Sequence, residues 1–185
     1  MFTAENEMIK AQRIILVGAK HCGKTSAGSA LQNIIKVAFI DIDKKIEEVY
    51  KKTVREIYKE GAEVFRAAEA ECLKNIFTNT DSPIIISTGG GIIDNEAAKT
   101  IITGTPAVVV YLEISAETAY KRILQNSKKT GSLPPFLECD DPQAAHKKLH
   151  DDRACRYKEW ADITINAEAK TQNEIALEIK GNLWI

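Results

Sequence analysis

The sequence lacks any apolar run near the ~20 residues that a membrane-spanning helix needs. It also lacks an excess of either charge. Its formal net charge is −1 at pH 7, so the chain has no general attraction for nucleic acid or for an anionic membrane. Its opening stretch, MFTAENEMIKAQ, lacks the apolar core of a signal peptide. We therefore predict a cytoplasmic protein with no nucleic-acid or membrane partner, in which any anion site is local.

The cysteines are few, and no two of them have the CxxC spacing. They are Cys22, Cys72, Cys139 and Cys155. Scattered cysteines indicate free thiols in a reduced compartment. His146 and His150 have the i, i+4 spacing of some metal sites, and two of the cysteines flank them in the sequence. We favour a polar helix face beside free thiols over a zinc site.

Short runs of valine and isoleucine alternate with longer helical patterns along the chain. The predicted strands cover residues 13–17, 37–40, 84–87, 107–112 and 162–165. Strands of near-continuous Val and Ile are buried on both faces, and their alternation with helices favours right-handed crossovers and a parallel sheet. Since no internal repeat or linker is present, we predict one α/β domain over residues 1–185.

Capping residues predict where several helices begin. These residues are Thr53 with Glu56, Asp94, Ser115, Asp141 before Pro142, and Thr171 with Glu174. A helical region is predicted over approximately residues 43–78, and the helix after Ser115 is predicted to end near Gln125. Residues 126–141 are polar, contain two prolines and lack periodicity. We predict a long loop there, of the kind that often forms a lid or a binding loop.

Residues 18–25, GAKHCGKT, fit the pattern G-x-x-x-x-G-K-[ST] at every fixed position, between a predicted strand and a predicted helix. The glycines let several backbone N–H groups converge on one anion, and the helix adds its positive end. Lys24 would reach the β- and γ-phosphates of a nucleotide, and the Thr25 hydroxyl would bind Mg²⁺. The predicted phosphate-binding residues are Gly18, Ala19, Lys20, His21, Cys22, Gly23, Lys24, Thr25 and Ser26.

Further polar and glycine positions follow the next two predicted strands, where ligands bind in open α/β sheets. Asp41 and Asp43 end the second strand; one could serve Mg²⁺ and the other a substrate hydroxyl, or either could simply cap a helix. Three consecutive glycines, residues 89–91, indicate a close approach of a ligand to the backbone. Arg66 and Glu69 are spaced i, i+3 and could pair on a solvated face.

Taken together, these motifs and Arg153 resemble the shikimate kinases. The motifs are the P-loop at 18–25, FIDID at 39–43, GAEVFR at 61–66 and GGG at 89–91. The resemblance covers about residues 13–180. It implies a three-layer P-loop kinase fold with a five-stranded parallel sheet in the order 2-3-1-4-5 and a mobile lid. It also implies transfer of the γ-phosphoryl group of ATP to the 3-hydroxyl of shikimate, a step toward the aromatic amino acids.

The resemblance also implies a role for each matching residue. Lys24 and Asp43 would be catalytic, Lys24 on the phosphates and Asp43 on the attacking hydroxyl. Thr25 and Asp41 would serve Mg²⁺, and Arg122 would stack on adenine unless it is a simple surface charge. The predicted substrate-binding residues are Asp43, Arg66, Gly89, Gly90, Gly91 and Arg153.

One position departs from the family pattern. The family's lid carries an arginine before a proline, and here Leu133 stands at that position in SLPPFL, residues 132–137. Lys128, Lys129 or Arg156 could compensate, the enzyme could be slow, or the acceptor could differ. The alternatives are a kinase for another hydroxy acid such as gluconate, and a nucleotide-binding homologue with impaired catalysis. We expect a monomer.

Overall fold

The computed structural model describes residues 13–131, 133–134, 137 and 139–183. Within them, five parallel strands form one sheet in the order β2-β3-β1-β4-β5. The strands are β1 Arg13–Val17, β2 Ala38–Asp41, β3 Ile84–Ser87, β4 Ala107–Glu113 and β5 Ile163–Asn166. The predicted parallel sheet and its strand order are confirmed, with strand limits shifted by no more than one residue.

Eight α-helices connect and follow these strands in the described part of the chain. They are α1 Lys24–Ile35, α2 Ile42–Tyr50, α3 Val54–Glu60, α4 Ala62–Asn79, α5 Glu96–Thr103, α6 Ala116–Thr130, α7 Pro142–Trp160 and α8 Gln172–Leu183. A 3₁₀ turn, Ile92–Asp94, precedes α5. In the described part of the chain, no helix is both long enough and apolar enough to cross a membrane.

Helices cover both faces of the sheet and make the three predicted layers. Alternate side chains of β1 point to opposite faces, as the period of a strand requires. Ile14 and Leu16 belong to one apolar cluster with α1 and α8, while Ile15 and Val17 belong to the other with α2, α4, α5 and α7. Each buried aliphatic side chain stabilises the fold by about 1.5–3 kcal/mol, which explains why the strands consist of nearly continuous Val and Ile.

Most of the predicted helix caps are present. Thr53 and Glu56 form a reciprocal capping box at α3, and Ser115 and Asp141 accept backbone N–H groups at the starts of α6 and α7. The prediction for Asp94 is wrong. Asn95 caps α5 instead, because its Oδ1 accepts the N–H of Ala98 at 3.1 Å. The Asp94 carboxylate bonds two arginines from α7.

The predicted loop at 126–141 begins later than its composition indicates. Helix α6 continues to Thr130 and ends at Gly131, whose positive φ of 71° and N–H bond to the Ser127 carbonyl form the C-cap. Polarity alone did not end the helix, because no helix-breaking residue comes before this glycine. Residues 132, 135, 136 and 138 of the predicted loop lie outside the described residues.

Candidate active site

The site lies at the carboxyl ends of β1, β2 and β3, which meet at one edge of the parallel sheet. The P-loop follows β1, Asp41 ends β2, and the three glycines follow β3. Neighbouring strands thus bring together motifs that are far apart in the sequence. The structure confirms that the P-loop lies between a strand and a helix, as the motif requires.

Two glycines of the P-loop occupy backbone conformations that other residues avoid. Gly18 has φ 139° and Gly23 has φ 106°. A Cβ atom at Gly18 would also lie 2.7 Å from the Leu112 carbonyl oxygen, so a side chain cannot be added there without moving β4. The loop ends where α1 begins, at Lys24, and therefore presents the positive end of that helix.

The P-loop lies in a strongly positive environment. Burial and the charges of Lys20, Lys24 and Arg122 lower the pKa of His21 to about 4, so this imidazole is neutral at pH 7. Burial, opposed by the Asp43 charge, lowers the pKa of Lys20. The three cations Lys20, Lys24 and Arg122 surround the loop, and this local positive charge suits it to an anion.

Lys24 and Arg122 both contact the P-loop backbone. The Lys24 ammonium is buried and donates to the carbonyl oxygens of Gly18 at 2.8 Å and Ala19 at 2.9 Å. The Arg122 guanidinium donates to the His21 carbonyl at 3.1 Å. Arg122 therefore belongs to the site and is not a simple surface charge, although no contact here tests stacking on adenine.

A cavity of about 510 Å³ opens beside the loop. The predicted residues that line it include Lys20, His21, Lys24, Thr25, Asp41 and Arg122. Gly23 and Ser26 line it as well, whereas Gly18, Ala19 and Cys22 do not. We call this space the nucleotide cavity.

Oxygen atoms suited to a magnesium ion lie at one wall of the nucleotide cavity. The Thr25 hydroxyl donates to Asp41 Oδ2 at 2.6 Å, and Ser87 Oγ lies 3.4 Å from the same hydroxyl. Mg²⁺ is usually held by one or two protein oxygens together with phosphates and water. Thr25 and Asp41 fit that requirement. Asp41 also caps α2 through Lys44, so both predicted roles of this carboxylate are compatible.

A second cavity, of about 620 Å³, adjoins the first, and we call it the acceptor cavity. Its walls come from α2, α3, α4, α6, α7 and the glycines after β3. The predicted residues that line it are Asp43, Gly89, Gly90, Gly91 and Arg153. Lys20, His21, Asp43, Gly90 and Asn126 line both cavities, so these five residues mark the boundary between them.

Two buried carboxylates lie at this boundary. A Cβ atom at Gly89 would lie 3.2 Å from Glu69 Oε1 and 3.3 Å from Asp43 Oδ1, and neither oxygen has a hydrogen-bond partner in the described part of the chain. Burial raises the pKa of both carboxyl groups, and that of Glu69 reaches about 7. Sequence analysis predicted Asp43 but missed Glu69 as part of the site.

The other two glycines make room for the protein's own groups. A Cβ atom at Gly90 would lie 2.7 Å from the backbone nitrogen of Lys20, so the P-loop packs directly on this glycine. A Cβ atom at Gly91 would lie 3.3 Å from Arg153 Nη2. Close approach is therefore the reason for these glycines, as predicted, but the approaching groups include the P-loop and Arg153.

The two predicted arginines are placed differently. Arg153 lines the acceptor cavity and donates from Nη1 to the Gly90 carbonyl at 3.2 Å. Arg66 does not line that cavity: its side chain is 37% exposed and pairs with Glu63. The suggested pairing of Arg66 with Glu69 is also wrong, because Glu69 is buried and accepts from Asn95 Nδ2 at 2.9 Å.

Sequence reasoning missed three residues that shape the acceptor cavity. Arg55 lines it and donates to the Leu133 carbonyl at 3.4 Å. Glu69 and Asn95 hydrogen-bond to each other next to it. A usable signal existed for Glu69, since this charged residue stands inside the mostly apolar stretch Ala67–Leu73 on the buried side of α4.

Two suggested alternatives receive no support from the geometry. Arg156 is held by the Asp94 carboxylate and the Ile93 carbonyl, both at 2.6 Å, so it is not directed at the nucleotide cavity. His150 bonds the Ile114 carbonyl at 3.1 Å, and the described residues contain no group of three or more potential metal ligands. Lys128 is exposed on α6, and the side chain of Lys129 lies outside the described residues.

Comparisons with known proteins agree on one family. The family model described as shikimate kinase matches residues 20–183. A shikimate kinase from Marinomonas sp. is 32% identical over 93% of this chain and 92% of its own. One from Prochlorococcus marinus is 33% identical over 94% of this chain and 90% of its own. A shikimate kinase from Acinetobacter baumannii, solved in complex with shikimate, has a TM-score of 0.83 at 25% identity over 97% of this chain and 96% of its own.

Proposed function

The chain belongs to the shikimate kinase family, and we propose that it transfers the γ-phosphoryl group of ATP to the 3-hydroxyl of shikimate. The products are shikimate 3-phosphate and ADP. One observation carries the assignment of the reacting centre: Asp43 and Lys20 line both the nucleotide cavity and the acceptor cavity. In this proposal the phosphoryl group passes from one cavity to the other beside these two side chains.

The nucleotide side supplies positioning and positive charge. Phosphoryl transfer requires little covalent help from the protein, and its transition state is stabilised by cations around the transferred group. In our proposal, Lys24 releases the carbonyls of Gly18 and Ala19 and binds the phosphates. Thr25 and Asp41 would hold Mg²⁺, which would neutralise charge on the phosphates.

The acceptor side supplies the base. The 3-hydroxyl oxygen forms a bond to the γ-phosphorus while the bond to ADP breaks, and Asp43 takes the hydroxyl proton. Burial raises the pKa of Asp43, which makes its carboxylate a stronger base than an exposed aspartate. Lys20, which lines both cavities, adds positive charge beside the transferred group in this proposal.

Arginine recognises the carboxylate of the acceptor in this proposal. The planar guanidinium fork matches a carboxylate in both geometry and charge. Arg153 already lines the acceptor cavity. Arg66 joins it only after leaving Glu63, which costs little because the pair is exposed. The backbone of Gly89, Gly90 and Gly91 contacts the ring.

The test is ADP release in a coupled assay with Mg-ATP, with shikimate and gluconate as separate acceptors. We expect ADP release that depends on shikimate, and no comparable rate with gluconate. ADP release with gluconate alone would mean that gluconate, and not shikimate, is the acceptor. The kinase assignment would then still stand. ATP binding without turnover of either acid would support the nucleotide-binding homologue instead. A monomeric state, which gel filtration can measure, and a cytoplasmic location stay predictions.

A further inference from the structure

The guanidinium of Arg153 is bound along one edge by a single carboxylate. Arg153 Nε lies 2.9 Å and Nη2 lies 2.6 Å from Asp94 Oδ2. The third nitrogen, Nη1, donates to the Gly90 carbonyl at 3.2 Å. All three guanidinium nitrogens are therefore bonded, and the plane of the group is set by Asp94 at the end of the 3₁₀ turn and by Gly90.

Asp94 is itself held in place. Its other oxygen, Oδ1, accepts from Arg156 Nη1 at 2.6 Å, and Arg156 Nη2 donates to the neighbouring Ile93 carbonyl at 2.6 Å. Burial opposes ionisation of Asp94, but the charges and hydrogen bonds of both arginines outweigh it and lower the pKa of this carboxyl group. Asp94 is therefore ionised at neutral pH and has little freedom to rotate.

The Arg153 guanidinium keeps N–H donors that no acceptor among the described residues uses. A guanidinium carries five N–H donors, one on Nε and two on each Nη. Asp94 Oδ2 accepts the hydrogen of Nε and one hydrogen of Nη2, and the Gly90 carbonyl accepts one hydrogen of Nη1. Among the described residues no other acceptor bonds Arg153, so one N–H remains on Nη1 and one on Nη2. Nη1 and Nη2 are the two nitrogens whose N–H groups a carboxylate can accept together.

We propose that Asp94 is a positioning residue, which fixes the Arg153 guanidinium so that its remaining N–H fork meets the acceptor's carboxylate. This inference rests on the proposed function, in which Arg153 binds that carboxylate. Asp94 has no capping role to explain its presence, because Asn95 caps α5. The Asp94 carboxylate instead forms salt bridges with Arg153 and Arg156 of α7.

The predicted effect is on acceptor binding. Without Asp94, Arg153 must be ordered when the acceptor binds, which costs about as much as immobilising one flexible side chain. Asp94→Asn should therefore weaken shikimate binding roughly three- to tenfold. The KM for ATP and the kcat should change less than twofold, since no contact of Asp94 reaches the nucleotide cavity. Asp94→Glu, which keeps the charge, should recover part of the loss.

The experiment measures the Kd of shikimate by calorimetry and the KM for both substrates. The variants are Asp94→Asn, Asp94→Glu, Arg153→Ala and the double variant Asp94→Asn with Arg153→Ala. Asp152→Asn is the matched control, because the Asp152 carboxylate also pairs with Arg156 on α7 but, among the described residues, accepts no hydrogen bond from the Arg153 guanidinium. If Asp94 acts through Arg153, its substitution changes little once Arg153 is absent. Thermal unfolding of each variant shows whether it is folded.

A second ligand separates positioning from a general structural effect. The methyl ester of shikimate lacks the charged carboxylate, so Asp94→Asn should weaken its binding less than that of shikimate. Equal weakening for both ligands would overturn the proposal. If Asp94→Asn does not fold, Arg156→Met gives the same test, because it frees Asp94 Oδ1 without touching Arg153. It should weaken shikimate binding in the same direction and by less, and no change would also overturn the proposal.

The controls distinguish failure of this inference from failure of the proposed function. If Arg153→Ala weakens shikimate binding and Asp94→Asn does not, the positioning role is wrong and the carboxylate assignment of Arg153 stands. If neither substitution changes shikimate binding, the carboxylate assignment is wrong and the positioning role falls with it.

Discussion

The two cavities are built in different ways. The nucleotide cavity takes the largest share of its lining from one continuous segment, residues 20–26, whose backbone leads into the start of α1. The acceptor cavity is formed by side chains from five helices and the loop after β3. A phosphate site made of backbone N–H groups depends on local chain geometry, whereas the acceptor site depends on how distant elements pack. Specificity for the acceptor is therefore the property that single side chains can change.

The two cavities also differ in charge. The nucleotide cavity contains Lys20, Lys24 and Arg122, whose charges add to burial in lowering the pKa of His21. The boundary with the acceptor cavity carries two buried carboxylates, Asp43 and Glu69, and burial raises the pKa of each. A proton acceptor thus lies next to a site that attracts phosphate. This division of charge is what a kinase needs, because the hydroxyl must lose a proton while the phosphoryl group is held by positive charge.

Asp43→Asn gives the strongest test of this division. The amide keeps the size of the side chain but cannot take the hydroxyl proton, so kcat should fall about 10³-fold, within the usual range for a lost general base. ATP binding should change less than threefold, because Asp43 Oδ1 has no hydrogen-bond partner among the described residues and so does not hold the P-loop in place. Steady-state kinetics and calorimetry measure the two quantities.

The matched control for Asp43→Asn is Glu48→Gln. Glu48 lies on the same helix, α2, but pairs with Lys45 at the surface. It should leave kcat and ATP binding unchanged. A loss of ATP affinity comparable to the loss of kcat in Asp43→Asn would mean that the two cavities are not separable at this residue.

The two arginines sharpen the comparison within the acceptor cavity. Arg153→Ala should raise the KM for shikimate about tenfold to 100-fold, the loss expected for hydrogen bonds to a charged group. Arg66→Ala should raise it by less than tenfold, because Arg66 first has to leave Glu63. Steady-state kinetics on both variants check the order. A larger effect at Arg66 would mean that its pairing with Glu63 does not persist in the working enzyme.

The same contrast explains what could be predicted from the sequence. The P-loop, Asp41 and Asp43 were predictable because their spacing is local and strand ends bring them together. Asp94 was predicted as a helix cap because an aspartate before a helical pattern has that role locally. Its real partners, Arg153 and Arg156, lie about 60 residues further along the chain. No local pattern carries that information.

Glu69, which lies next to the acceptor cavity, is a second residue whose partners no local sequence pattern reveals. Its side chain is 1% exposed, and its one hydrogen bond in the described part of the chain is to Asn95 on another element. Burial raises the pKa of Glu69 to about 7, the Asn95 hydrogen bond opposes that shift, and the Asp43 charge adds to it. The P-loop segment, residues 18–26, contains no carboxylate of this kind, because its titratable side chains are cationic or neutral.

Glu69→Gln tests whether this buried charge destabilises the acceptor side. The folded pKa of about 7 exceeds the ordinary value of 4.5, so the folded protein binds more protons than the unfolded chain between these values. Wild-type stability should therefore fall as the pH rises from 4.5 through 7.

At pH 8 the Glu69→Gln variant should be more stable than the wild type by about 3 kcal/mol, and below pH 4.5 the difference should vanish. Urea unfolding across this pH range measures both limits. Glu71→Gln is the matched control, because Glu71 is exposed on the same helix. A constant difference at every pH would mean that packing of the amide, and not removal of a charge, causes the stabilisation. A loss of stability at pH 8 in Glu69→Gln would mean that the negative charge of Glu69 stabilises the fold. The acceptor side would then not carry the cost of a buried charge, and this difference from the nucleotide cavity would disappear.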